Sequence, residues 1–360
     1  MNILLLSRYG RLGASSRQRF LQYLPYLQAR GFSIAVSPLQ PDDYVKNPSY
    51  GHMSLPTVVR RYFAHLKTIL TSAHYDLLWI EKELLPWVPG WIESVLMPAR
   101  TPFVIDYDDA VFHRYDSHPN PFVRKMYGRK LDKFMRRAAL VIVGNDYLAE
   151  RARNAGAPRI VCLPTVVDIE RYRVCPGIKE TFTVGWIGSP YTQKYLRLIQ
   201  PALTQICHKA NTRLLLVGTE DGEAVLPGVR TEIRPWSEQT EVSDILDFDV
   251  GIMPLPDMPF ERGKCGYKLI QYMACGKPVV ASPVGVNTQL VENQVNGFFA
   301  DNESDWISAL STLRDNVTLR LRMGQAGRAM VESHYSLSAT APRLESLLRA
   351  AVEKNSHVRI

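Results

Sequence analysis

Short apolar runs alternate with amphipathic helical stretches along the whole chain, and the series runs twice. In the first half, strands are expected at Asn2–Ser7, Phe32–Val36, Leu77–Glu81, Phe103–Ile105, Leu140–Val143 and Ile160–Leu163. Helices are expected near Ser16–Arg30, Val88–Met97, Pro121–Ala138 and Asp146–Ala155. In the second half, strands are expected at Phe182–Ile187, Arg213–Val217, Val229–Ile233, Val250–Met253, Val279–Ala281 and Gly297–Ala300, with helices between them. A strand–helix–strand alternation of this kind specifies parallel sheets in an α/β fold. Gly31, Gly156 and Gly276 stand where helices should end, since glycine tolerates the left-handed turn there. The two series meet near Tyr172–Thr181, where Val-Cys-Pro-Gly-Ile-Lys-Glu has linker character. Two Rossmann-like domains are therefore expected, over residues 1–172 and 180–335.

Composition narrows the class. The 360 residues are 46% hydrophobic and 22% charged, as in a water-soluble globular protein. No run of 18 apolar residues exists, so no transmembrane helix is expected. Met1-Asn2-Ile3-Leu4-Leu5-Leu6 reads as a first strand and not as a secretion signal. The cysteines Cys162, Cys175, Cys207, Cys265 and Cys275 lack metal-binding spacing, which points to reduced thiols in the cytoplasm and against zinc.

The net charge of +8 is unevenly spread. Residues 1–175 hold 24 Lys and Arg against 15 Asp and Glu, whereas residues 176–360 hold 19 against 20. Arg124, Lys125, Arg129, Lys130, Lys133, Arg136 and Arg137 fall in one expected helix, with Phe122, Met126, Leu131 and Phe134 as apolar partners. A basic amphipathic helix suits an anionic membrane surface, and equally the solvated face of a basic protein. No nucleic-acid-binding motif accompanies the charge, and no nucleic-acid partner is expected.

The densest chemistry lies in Arg262 to Ser282, Arg-Gly-Lys-Cys-Gly-Tyr-Lys-Leu-Ile-Gln-Tyr-Met-Ala-Cys-Gly-Lys-Pro-Val-Val-Ala-Ser. A loop leads into a helix opened by Gly266, a Gly276-Lys277-Pro278 break follows, and a buried strand closes the unit. Lys264 and Lys268 stand where the helix begins. A helix N-terminus carries unpaired N–H groups and partial positive charge, so with two added ammonium groups it suits a diphosphate. An ordinary β-α-β turn with solvated lysines is the plainer alternative.

This segment resembles the nucleotide-sugar signature of retaining glycosyltransferases of the GT-B fold, glycosyltransferase family 4. Tyr272-Met273-Ala274-Cys275-Gly276-Lys277-Pro278-Val279-Val280 matches the family pattern closely. The family's two glutamates, eight positions apart, fall here on Gly263 and Gln271. Gln271 retains both a donor and an acceptor for ribose hydroxyls. The resemblance implies two doubly wound domains facing across a cleft, with the final helix, Ala339–Lys354, packing back on the first. It also implies that donor sugar and nucleotide lie on the second domain and the acceptor on the first.

Four further segments become candidates. Ser7 to Arg17 is a glycine-containing first β-to-α turn, from which Gly13 and Arg17 are expected on the acceptor side. It is not the nicotinamide-binding pattern of three spaced glycines. Val104-Ile105-Asp106-Tyr107-Asp108-Asp109 feeds three carboxylates from a strand end, where α/β ligand sites form. Asp108 or Asp109 is the expected base or orienter of an acceptor hydroxyl, with Asp106 beside them, and a capping aspartate with a structural pair is the alternative. A metal reading of the Asp-x-Asp motif belongs to a different transferase fold, so no metal and no cofactor is expected.

In the second half, Gly185 to Leu196 is the first β-to-α turn. Gly188, Ser189 and Thr192 are candidates for phosphate, and Trp186 takes the place of an arginine the family often has. Trp236, after a strand, is a candidate for the base, although packing is the commoner fate of tryptophan. The donor-binding set is thus Gly188, Ser189, Thr192, Trp236, Lys264, Cys265, Gly266, Lys268 and Gln271, and Lys268 also joins Asp108 and Asp109 as catalytic.

The expected protein is a cytoplasmic, possible peripheral-membrane enzyme. It would move a sugar from a nucleoside diphosphate sugar to a hydroxyl of a glycan or lipid-linked acceptor, in cell-surface polysaccharide synthesis. An inactive nucleotide-sugar-binding protein and a nucleotide-sugar epimerase are the alternatives.

Overall fold

The computed structural model of the chain describes residues 1–43, 55–175, 177, 180–209, 211–219, 226, 229 and 231–356. The middle of the expected linker, residues 176, 178 and 179, lies outside these. The chain separates into two units, residues 1–165 with 340–360, and residues 166–339.

The first unit is built on β1 (Asn2–Tyr9), β2 (Ser33–Gln40), β3 (Leu77–Glu81), β4 (Phe103–Tyr107), β5 (Leu140–Val143) and β6 (Ile160–Cys162). All run parallel, in the order β2-β1-β3-β4-β5-β6. The runs Leu-Leu-Trp-Ile-Glu and Phe-Val-Ile-Asp-Tyr are buried at every position, as central strands covered on both faces must be. Asn145 caps the helix Asp146–Asn154 by accepting the Leu148 N–H at 3.0 Å. The last helix, Leu337–Ser356, gives Thr340 and Glu345 to this unit: the hydroxyls of Thr340 and Tyr23 lie 3.0 Å apart, and Tyr26 reaches Glu345 at 3.3 Å.

The second unit is built on β7 (Phe182–Ile187), β8 (Thr212–Val217), β9 (Thr231–Arg234), β10 (Val250–Met253), β11 (Val279–Ala281) and β12 (Gly297–Phe299). These too are all parallel, in the order β12-β11-β10-β7-β8-β9. The chain winds outward one way from β7 and then the other way from β10, as in dinucleotide-binding folds. Each expected strand is present, with ends displaced by a few residues.

The basic helix differs from expectation. Pro121–Tyr127 and Lys130–Arg137 are separate helices, broken at Gly128 and Arg129. A side chain at 128 would press on the Arg124 carbonyl at 2.5 Å, which explains the glycine at the break. Lys130 is not a surface cation at all. Its ammonium is fully buried and bonds Glu83 at 3.2 Å, Glu93 at 3.1 Å and the Leu85 carbonyl at 2.6 Å. Periodicity placed it among solvated residues because the partners are 37 or more positions away in sequence. Among the described residues no helix is long and apolar enough to cross a membrane.

All five cysteines are unpaired, and Cys207, Cys265 and Cys275 are buried.

The helix Leu55–Leu70 buries His65, and burial pushes its imidazole down to about 4 from 6.5, more than a backbone hydrogen bond at Leu84 restores. The unfolded chain takes up a proton in that window that folded His65 refuses, so stability falls as pH falls from 6.5 toward 4. His65→Gln removes this penalty. Denaturant titrations at pH 7 and pH 4.5 should show the variant losing about 2 kcal/mol less than the wild type on acidification.

Candidate functional site

In open α/β sheets, ligands gather beyond the carboxyl ends of strands where the winding direction reverses. In the first unit that point lies between β1 and β3, and in the second between β7 and β10. Both are crowded with polar chemistry.

Beyond β3 of the first unit comes Lys82, whose φ of 61° is a left-handed conformation rarely adopted by residues with side chains. Such a residue costs about 1–3 kcal/mol and persists where its surroundings dictate it. Here the surroundings are carboxylates: its ammonium lies 2.8 Å from Asp108 and 3.6 Å from Asp109. Burial would lower the Lys82 pKa, but Asp108, Asp109 and Glu81 hold it above its ordinary value. Burial alone would raise Asp108, yet Lys82 and the Ser15 hydroxyl hold its carboxyl below the usual range. Glu81 behaves oppositely, raised by burial despite Lys82.

Ser15 Oγ lies 2.7 Å from both Glu81 and Asp108. A hydroxyl carries one proton, so Ser15 donates to one of the two carboxylates at a time and holds them together. The other Glu81 oxygen accepts from Ser16 at 2.6 Å and from the Arg8 N–H at 2.7 Å. The first helix, Ala14–Arg19, is thereby anchored by its serines to the end of β3.

Asp106 is placed differently from its neighbours. It sits inside β4, accepts from Arg19 Nε at 2.9 Å and Nη2 at 2.7 Å, and is pushed up to about 7 by burial, with Arg19 opposing. Strand alternation sends its side chain inward. Gly13 is buried against Tyr9, and Arg17 is buried with Nη1 on the Arg11 carbonyl at 3.2 Å. Of the acceptor-side candidates, only Asp108 and Asp109 therefore meet at the strand ends, Asp109 being the more exposed at 29% against 12%. Among the described residues no group of three or more His, Cys, Asp or Glu could hold a metal ion. Glu81, Lys82 and Ser15 were missed in the sequence. The signal was Glu81-Lys82-Glu83 directly after an apolar strand.

In the second unit the helix Tyr267–Ala274 opens at Gly266 with φ 63° and no side-chain cap. A Cβ there would lie 2.2 Å from Leu290, so glycine is required twice over, by conformation and by space. Lys268 stands in the first turn, its ammonium 5.0 Å from the centre of the Trp186 ring. Gly188 lies beneath: a Cβ would meet Trp186 at 2.3 Å and the Lys268 ammonium at 2.9 Å. Trp186, Gly188 and Lys268 thus form one cluster at the end of β7. Gly218 links it to Trp236, with built-Cβ distances of 2.3 Å to the Gly188 carbonyl and 3.1 Å to Trp236. Lys264 lies 5.0 Å over the Phe260 ring, two residues before Gly266, and Cys265 is buried between them in sequence. Ser189 and Thr192 bond each other, the Ser189 N–H reaching Thr192 Oγ1 at 3.3 Å and that hydroxyl donating to the Ser189 carbonyl at 3.1 Å.

Gln271 faces inward. Its amide donates to the Tyr172 hydroxyl at 2.9 Å, which donates to Glu241 at 3.3 Å. Trp236 Nε1 donates to the same carboxylate at 3.1 Å. The expected ribose and base contacts thus join a buried network around Tyr172. A second acid, Glu261, lies two positions before Gly263 and is held by the Tyr195 hydroxyl.

Residues 181–316 match the family described as Glycosyl transferases group 1. The chain is 26% identical over 222 residues to D-inositol 3-phosphate glycosyltransferase from Segniliparus rotundus, covering 55% of this chain and 48% of that protein. It therefore spans about half that relative's length. Among solved structures, sucrose-phosphate synthase from Thermosynechococcus elongatus superposes with a TM-score of 0.76 at 16% identity, over 97% of this chain and 98% of that one. HepE from Anabaena, solved with UDP-glucose, gives 0.71 at 19%, over 97% and 100%. The fold is that of the GT-B glycosyltransferases, two Rossmann-like domains on parallel six-stranded sheets.

Lys82→Met would leave Asp108 and Asp109 without their shared cation. Removing one partner of a buried ion pair costs about 3–5 kcal/mol. The loss should be smaller at pH 5 than at pH 7, because facing carboxylates take up a proton. Thermal unfolding at both pH values decides this, and equal losses would make Lys82 a packing residue only.

Proposed function

We propose that the protein is a retaining glycosyltransferase that moves a sugar from a nucleoside diphosphate sugar to a hydroxyl of a glycan or lipid-linked acceptor. The observation that carries this reading is the Gly188–Trp186–Lys268 cluster at the reversal point of a group 1 glycosyltransferase domain. A diphosphate leaving group gathers negative charge as its bond to the sugar breaks. Lys268, Lys264 and the N-terminus of Tyr267–Ala274 supply positive charge to it, the kind of electrostatic contribution that is often the largest in an enzyme. The Trp186 face orients the Lys268 ammonium 5.0 Å above it.

On the first unit, the acceptor hydroxyl falls to Asp109. Asp108 is held ionised by Lys82 and Ser15 and is a weak base, whereas Asp109 is the more exposed and lies farther from Lys82. The UDP-glucose bound by HepE and the D-inositol 3-phosphate in the Segniliparus enzyme's name support a nucleotide sugar as donor and a hydroxylic acceptor.

Lys268→Ala is the direct test. Charged hydrogen bonds contribute about 1.5–3 kcal/mol, so affinity for UDP or GDP should fall about tenfold to hundredfold at an unchanged melting temperature. Unchanged affinity in calorimetry would remove the diphosphate from this helix. Donor hydrolysis separates the alternatives: a binding protein binds without turnover, and an epimerase converts the donor without any acceptor.

Transfer should also survive EDTA. Asp106 is committed to Arg19, and Asp108 with Asp109 to Lys82, so these carboxylates already have their cations. Loss of activity on chelation, restored by Mn²⁺ or Mg²⁺, would assign the diphosphate charge to a metal instead.

A further inference from the structure

We propose that Trp87 is the platform on which a pyranose ring of the acceptor stacks, an inference that rests on the glycosyl-transfer reading above. Trp87 follows β3 five residues after Lys82 and shares its left-handed backbone, with φ 60°. A bulky residue in that conformation is strained. Its side chain is nevertheless 51% exposed, so the strain is not repaid by burying the indole in a core.

The loop that holds it is pinned at almost every residue. The Leu85 N–H donates to Glu93 at 2.6 Å, and the Leu85 carbonyl accepts from Lys130 at 2.6 Å. The Pro86 carbonyl accepts from Tyr62 at 2.9 Å, and the Trp87 N–H donates to the Tyr115 hydroxyl at 3.2 Å. Tyr115 in turn donates to Glu83 at 2.7 Å, and Glu83 pairs with Lys130 at 3.2 Å. Glu83, Glu93 and Lys130 are buried charged groups, each costing several kcal/mol of desolvation before pairing. A tryptophan that merely packs needs no such support. Here a buried ionic scaffold fixes an exposed aromatic ring, and the scaffold is tied to the strand ends through Arg8, which pairs with Glu83 at 3.5 Å and gives its N–H to Glu81 at 2.7 Å.

The ring's neighbours narrow its ligand. Tyr115, His118 and Tyr127 stand around Trp87 with centroids 5.1, 6.0 and 6.2 Å away, all steeply inclined to it. The Lys130 ammonium already lies 5.5 Å over the Tyr115 ring, and the exposed part of the indole is left for a ligand. Phenol and imidazole edges beside an apolar face suit a ligand with an apolar face and a polar rim. A pyranose ring is such a ligand, its C–H face lying on the indole and its hydroxyls reaching the half-buried Tyr127 and His118. A lipid chain would have no use for those hydrogen-bonding edges.

The test measures glycoside binding separately from transfer. Saturation-transfer NMR with methyl gluco-, manno-, galacto- and N-acetylglucosaminopyranosides should show ring C–H contact with the wild type for at least one of them. Trp87→Ala should weaken that binding about tenfold, and Trp87→Phe should retain part of it. Both variants should melt as the wild type does and bind UDP or GDP with wild-type affinity. The inference is overturned if no glycoside of the panel binds the wild type, or if Trp87→Ala binds as well as the wild type does. It is also overturned if Trp87→Ala abolishes flotation with phosphatidylglycerol vesicles while glycoside binding persists, which would make the ring a lipid contact. Failure of the wild type to bind UDP or GDP, with Trp87-dependent glycoside binding intact, would count against the transferase reading and leave the platform standing.

Discussion

One ammonium group holds the first unit's strand ends together. Lys82 lies between Asp108 and Asp109, with Glu81 on its own strand, and accepts a strained backbone to do so. Without it, the C-terminal ends of β3 and β4 would present a block of negative charge in a poorly hydrated place. Glu81 is raised by burial against the pull of Lys82, and it accepts from Ser15 and Ser16, which fasten the first helix. The same cation sorts the aspartates into unequal roles. Asp106 belongs to Arg19, Asp108 is locked as an anion, and Asp109 keeps the looser tie.

The second unit solves a related problem with rings in place of carboxylates. Three glycines admit aromatic faces where a side chain would collide: Gly185 under Phe248, Gly188 under Trp186 and Gly251 under Tyr272. Tyr272 also accepts the Ile187 N–H at 3.0 Å, which ties the helix Tyr267–Ala274 to the end of β7. That tie brings Lys268 over Trp186. The position where the family often has an arginine is thus filled by a ring that carries a lysine from another element.

The fold was readable because it depends on local pattern. The central strands of both sheets are short apolar runs bounded by turn residues, and neighbouring strands follow from right-handed parallel crossovers. The helix opening at Gly266 was readable because its glycine and lysines are close in sequence, from Lys264 to Lys268. What escaped were residues whose meaning lies in a distant partner. Lys130 looked like one solvated cation among seven until Glu83 arrived from elsewhere in the chain, and the bond from Gln271 to Tyr172 has no local signal. Gly13 and Arg17 stand in a motif whose packing also serves the turn itself. Lys82 was hidden because no local rule predicts a left-handed lysine.

Cys275 ends the helix whose first turn holds Lys268, its N–H bonded to the Gln271 carbonyl at 3.2 Å. Burial pushes its thiol up to about 12, and Cys207 to about 11, so neither is a thiolate in the closed protein. Cys175 is exposed and Cys162 half-buried. An alkylating reagent therefore meets a fast outer thiol first and reaches Cys275 only when this helix lifts from its sheet. The chain thus carries its own clock for the opening of the helix Tyr267–Ala274, read by mass spectrometry as alkylation of Cys275.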